Sequence, residues 1–164
     1  GFDADTLSEN QSLYAQENVR ILSGLYGILK PFDLIAPYRL EMGTKWNVTP
    51  KTKNLYQFWD KKITTYLNNE LKENEPIINL ASTEYFKAVD VKTLHSKVIT
   101  PVFKEFKNGD YKIIMMFAKH ARGAMARFIV DNELENPEDL KLFSKDGYGF
   151  DANLSSETEW VFTR

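Results

Sequence analysis

Leu55, Phe58, Trp59, Ile63, Tyr66, Leu67 and Leu71 recur at helical intervals, with Lys61, Lys62, Asn68, Asn69 and Glu70 between them. That spacing predicts a helix over 54–71 that turns an aromatic stripe toward a core. Upstream, Ser8 and Gln11 occupy the reciprocal positions of a capping box. They predict a helix over about 8–22 that ends near Gly24. PIINLAS (76–82) is a short apolar run, expected as a buried strand, and a further helix is expected over 82–88. VITPVFKEF (98–106) and YKIIMMFA (111–118) flank Asn108-Gly109-Asp110, which reads as a hairpin turn. The second of these strands is apolar on both faces, so a central place in the sheet is expected. KHARGAMARFIVDNEL (119–134) predicts a helix with Ala121, Ala124, Met125, Phe128 and Ile129 inward, despite Gly123. Pro137 opens a short helix, PEDLKLF, and GYGF and EWVFT (159–163) read as closing strands.

These elements predict an α+β protein: a mixed sheet with an antiparallel hairpin, packed by helices. No repeat or linker marks a second domain. Residues 1–164 are expected to form one domain or the C-terminal portion of a larger one, with the N-terminal part of the full-length protein absent.

One stretch resists this reading. LSGLYGILKPFDLIAPYRLEMG (22–43) holds three of the eight glycines and two of the six prolines among apolar residues. Glycine and proline exclude one long element, and the apolar content excludes a flexible linker. LSGLYG is similar to the glycine turn of a helix–hairpin–helix DNA-binding element, whose free N–H groups face phosphate. Its glycines are three apart where the common pattern has two, and a plain helix C-cap fits the spacing equally well.

Composition narrows the chemistry. Of the 164 residues, 43% are hydrophobic and 27% charged, values of an ordinary globular chain. No apolar run reaches membrane-spanning length. There is no cysteine, which excludes thiol peroxidase chemistry, a disulfide scaffold and cysteine-ligated metals. His95 and His120 lie far apart with no carboxylate at ligand spacing, so no metal or other cofactor is expected. No P-loop or dinucleotide fingerprint is present.

The net charge of −2 conceals a segregated pattern. Residues 92–130 carry eight Lys/Arg against two acids, and 20–62 carry eight against three. Residues 131–164 carry nine acids against three bases. The two basic segments suit a polyanion if they converge on one surface, and are otherwise solvated faces. In AKHARGAMARF (118–128), Lys119, Arg122 and Arg127 are candidate phosphate contacts. In PYRLEMG (37–43), Arg39 and Glu41 could form a structural pair, or Glu41 could orient Arg39 toward an anion. Tyr38, Glu41, Asn79 and Ser82 are candidate pocket residues. Nothing in the sequence is placed to activate Ser82, and no catalytic residue is assigned.

Taken in order, LSGLYGILKPFDLIAPYRLEMG, NLYQFW, INLASTEYFKAV, PVFKE, FAKHARGAMARF and GYGFD resemble the YaaA family of bacterial peroxide stress response proteins. The resemblance implies a cytoplasmic protein that limits oxidative damage and unincorporated iron. It also implies binding to duplex or distorted DNA through a helix–hairpin–helix element and a basic cleft. Carried onto this chain, the element would span Leu22 to Asp33 with Gly24, Gly27 and Lys30, and the cleft would use Arg39, Lys119, Arg122 and Arg127. Phe117 stands where the family often has tyrosine. The alternative reading is an enzyme acting on a phosphorylated small molecule or nucleic acid in a basic pocket.

Overall fold

In the computed structural model, which describes residues 1–164, the hairpin turn sits where Asn-Gly placed it. Asn108 and Gly109 both adopt positive φ, 56° and 81°, as a two-residue turn between twisted strands requires. They join β4 (Val98–Lys107) to β5 (Asp110–Lys112), paired antiparallel from Lys107–Asp110 to Glu105–Lys112.

Besides three short 3-10 helices at Ala4–Thr6, Pro137–Leu142 and Lys145–Gly147, the remaining elements, in order, are α1 (Glu9–Asn18), β1 (Ile21–Ser23), β2 (Gly27–Leu29), α2 (Leu55–Trp59), α3 (Lys62–Glu70), β3 (Ile77–Ile78), α4 (Thr83–Phe86), α5 (Met115–Asp131), β6 (Gly149–Asp151) and β7 (Glu159–Thr163). The fold is mixed α+β, with an antiparallel hairpin and helices packed on a mixed sheet. The chain divides into two compact units. The first comprises Gly1–Tyr14, Pro76–Leu80 and Lys97–Arg164; the second comprises Ala15–Glu75 and Ala81–Ser96.

The sheet of the first unit runs β3–β4–β7–β6, with β5 also on β4. β4 pairs in parallel with β3 and with β7, while β6 and β7 are antiparallel. In β4, Ile99, Pro101 and Phe103 are buried and alternate with half-buried neighbours, the two-residue period of a strand with one core face. Trp160, Val161 and Phe162 of β7 are all buried, as expected of a strand flanked on both sides. Phe103 stacks on Phe162 at 5.5 Å between centroids and meets Phe143 and Tyr148 edge-on at 5.9 and 5.2 Å. α5 lays Ala121, Ala124 and Met125 into the same cluster.

The second unit holds the β1–β2 hairpin and helices α2, α3 and α4. Ile63, Thr64 and Leu67 of α3 are buried, and the Thr64 hydroxyl accepts from Asp90 N–H at 2.8 Å.

Four expectations change. PIINLAS forms a strand only over Ile77–Ile78, and both residues are half-buried rather than buried. YKIIMMFA is not a central strand: β5 stops at Lys112 and Met115 starts α5, four residues earlier than the expected helix. An unbroken apolar run does not distinguish strand from helix by period. The expected helix over 54–71 breaks at Asp60, where φ is 42° and Asp60 N–H closes on Tyr56 O. Leu22–Asp33 is a β-hairpin followed by a turn at Lys30–Asp33, rather than a helix end. The capping box matches its prediction: Ser8 N–H donates to Gln11 Oε1 at 2.8 Å, and Gln11 N–H to Ser8 Oγ at 3.3 Å.

Glu105 ties β4 to the end of β7. Its carboxylate accepts from Arg164 Nε at 2.8 and 3.0 Å and from the Tyr148 hydroxyl. Burial works against the charge, but the bonds from Arg164 and Tyr148, with the Arg164 charge, hold the Glu105 carboxyl below its ordinary value. Burial and the same carboxylate push the Tyr148 phenol up.

Two outcomes follow. Phe162→Ala should cost about 3–5 kcal/mol in denaturant unfolding, since a fully buried ring leaves a cavity. A carboxyl whose folded pKa is depressed contributes stability above its unfolded pKa and loses it as pH falls through the folded one. Unfolding midpoints should therefore drop through the acid range, and Glu105→Gln should flatten that drop.

Candidate functional site

In the second unit, the two glycines of LSGLYG serve packing. A Cβ on Gly24 would lie 2.6 Å from Leu40 O, and one on Gly27 2.7 Å from the Trp59 ring. Gly27 also has φ of +78°, which favours glycine. Trp59 Nε1 donates to Gly24 O at 3.0 Å and locks the hairpin to α2. Lys30 is paired to Glu70 at 3.3 Å, and Arg20 meets the same carboxylate at 2.7 Å. The Arg20 bond leads the influences holding Glu70 below its ordinary value, against an opposing effect of burial.

Arg39 is exposed and forms no pair with Glu41. Tyr38 shares a 2.5 Å hydrogen bond with Ser23 Oγ and meets Tyr26 edge-on at 5.5 Å. Burial, then the Glu84 charge, push the Tyr85 phenol up, with smaller contributions from Tyr38 and Glu41. Glu84 Oε1 accepts from Gly43 N–H at 2.8 Å, and the Tyr56 hydroxyl donates to Glu84 O at 3.0 Å. Ser82 caps α4, its Oγ accepting from Tyr85 N–H. That is a structural role for a serine at a helix start. Tyr38 and Glu41 thus join a tyrosine–carboxylate cluster that no local motif assembles. Its other members, Tyr85 and Glu84, lie directly within the STEY cap, and that spacing is the signal the sequence offers.

In the first unit, α5 carries the other three cations. Lys119 is exposed and forms no ion pair. Arg122 lies one turn on and is half-buried. Its guanidinium reaches only carbonyls, Ala118 O at 3.3 Å and Leu80 O at 3.5 Å, with no carboxylate partner. Burial pushes its pKa down from the ordinary value, yet arginine keeps its charge in proteins. It is a partly desolvated cation with donors to spare, at the end of β3. Asn79 is nearly buried there and donates to Thr100 Oγ1 at 3.3 Å.

Arg127 differs from both. It binds Asp131 at 2.6 Å, Asp3 O at 2.8 Å, Phe2 O at 3.3 Å and Thr6 Oγ1 at 2.5 Å. Those bonds pin the N-terminal segment onto α5. They leave little of the guanidinium for a ligand, so its candidate phosphate role gives way to a structural one. His120 pairs with Asp146 at 3.6 Å on the surface. No three His, Asp or Glu side chains gather in a way that could hold a metal ion. No helix is long and apolar enough to cross a membrane.

The geometry therefore defines a mixed α+β protein whose α5 presents a half-buried, carboxylate-free arginine beside an exposed lysine. A family model described as peroxide stress protein YaaA matches residues 1–154. The chain is 55% identical over 166 residues to a UPF0246 protein of Aliivibrio fischeri, covering 100% of this chain and 64% of that protein. A UPF0246 protein of Paraburkholderia phytofirmans is 52% identical over 168 residues, again covering 100% and 64%. One of Acaryochloris marina is 52% identical over 164 residues, covering 100% and 65%. The chain belongs to the YaaA family of peroxide stress proteins. It spans about 64% of the length of the curated relatives it matches.

Gly27→Ala separates packing from ligand binding. With positive φ and the Trp59 ring in the way, it should destabilise the protein by more than about 1 kcal/mol. It should also shift the fluorescence of Trp59, without any polyanion present.

Proposed function

We propose that the chain binds DNA through the phosphate backbone, and that this binding is how it limits oxidative DNA damage under peroxide stress. The observation that carries the reading is Arg122: half-buried, served only by carbonyls, and one turn from unpaired Lys119 on a helix. A partly desolvated guanidinium without a carboxylate is suited to a phosphate oxygen, to which it can donate two parallel bonds. No acid lies between Tyr111 and Val130, so the phosphate meets no repulsion from α5's own residues up to there.

The second unit supports the reading separately. It carries eleven Lys/Arg against nine acids, and exposed Arg39 is free to meet the backbone. Interactions of this kind position a protein on DNA without reading sequence. DNA kept covered is shielded from iron-driven oxidation, and that shielding belongs to the same proposal.

Binding of the full-length protein to duplex and bubble DNA, titrated across salt, tests this. Arg122→Ala and Lys119→Ala should weaken binding evenly across sequences. Each should lower the salt slope by about one for every phosphate it ceases to neutralise. Unchanged affinity in both variants would remove α5 as the interface.

A further inference from the structure

Phe106 and Tyr111 stand directly opposite each other in the β4–β5 hairpin. Phe106 N–H donates away from β5, to Arg164 O at 2.8 Å. The two residues therefore form a pair without mutual main-chain bonds, the kind in which facing side chains stand closest. Their rings meet edge-on, 5.2 Å between centroids and 62° between planes. Neither ring is covered: Phe106 is 61% exposed and Tyr111 37%. A single solvent-facing ring is ordinary. Here two are held together beside a tight turn, on a hairpin whose second strand is exposed at every residue.

The rings are edged by positive charge. Side chains two apart along a strand share a face, so Lys104 lies on the face of Phe106. Lys104, Lys107 and Lys112 form no ion pair. The hairpin's two acids are engaged elsewhere: Glu105 by Arg164 and Tyr148, and Asp110 by Tyr111 N–H at 2.8 Å. Alternation places both acids on the opposite face from the rings.

An apolar planar platform beside cations matches a ligand with flat faces and a negative backbone. Nucleobases on a phosphodiester chain have both. In a duplex the base faces already stack on one another, so only unpaired bases can take the rings. A protein partner fits less well. Two rings offer at most about 150–250 Å² each, short of the roughly 800 Å² a stable partner covers.

We infer that the β4–β5 hairpin stacks unpaired nucleobases on Phe106 and Tyr111, with Lys104 placed for a neighbouring phosphate. The inference rests on the DNA reading of α5, which lies in the same unit, and gives that reading a substrate class. The class is single-stranded DNA, or the open strands of a bubble, in preference to plain duplex. Stacking of this kind tolerates any sequence, in keeping with phosphate contacts that read none.

Binding of the full-length protein to a single strand, a bubble and a duplex of matched length tests this. Phe106→Ala and Tyr111→Ala should each weaken single-strand and bubble binding about tenfold more than duplex binding. Phe106→Leu, which keeps apolar bulk without a flat face, should lose as much, and Phe106→Tyr should retain the preference. Stacking releases no counterion, so the salt slope should stay constant in the ring variants and fall in Arg122→Ala. Unchanged single-strand and bubble affinity in the ring variants, beside a loss in Arg122→Ala, would overturn the inference and leave the α5 reading standing. Loss in the ring variants with none in Arg122→Ala would uphold the platform and remove α5. Equal loss on all three DNAs would overturn the inference. So would a dimer in solution that Phe106→Ala dissolves, which would assign the rings to a second copy. No binding to any of the three DNAs would overturn both readings.

Discussion

The parallel pairing of β4 with β7 is the constraint on which the first unit rests. It aligns Thr100–Lys104 with Glu159–Thr163 and so brings Phe103 onto Phe162. Around that stacked pair the rings of Phe143, Tyr148 and Phe150 close edge-on. α5 then has a surface to lie on, with small residues, Ala121 and Ala124, permitting close approach. Arg122 reaches the carbonyl of Leu80 because α5 is held at that depth. The Glu105–Arg164–Tyr148 group fastens the far end of the same pairing.

Much of this was legible in the sequence where a local rule had one meaning. The Ser8–Gln11 box, the Asn108-Gly109 turn and the alternation in β4 each specify geometry within a few residues. IIMMF misled because an unbroken apolar run satisfies strand and helix alike, and only its lack of a pairing partner decides the matter. The break at Asp60 was invisible because the apolar stripe continues in phase across it. The glycines of LSGLYG were legible as special positions. The reason was not: Trp59 and Leu40, which crowd them, lie far off in the chain.

The candidate site shows the same division. Residue type singles out arginines and lysines, but type cannot say which are already occupied. Lys30 is bound to Glu70 and Arg127 to the N-terminal segment, whereas Lys119, Arg122 and Arg39 have no carboxylate partner. The difference lies in distant partners such as Asp3 and Glu70, which no local window contains. Ser82 is similarly ambiguous in sequence, and its hydroxyl caps α4.

The order of the strands along the chain has a consequence for biogenesis. β4 is synthesised about fifty residues before β7, the strand it must lie against, so the aromatic centre cannot close while translation is still passing through α5. Until then, Phe103 and the inner face of α5 are apolar surface without a lid. A nascent chain stalled in that interval would be a natural client for a chaperone at the ribosome exit. Release of β7 would be the event that commits the unit to its native form.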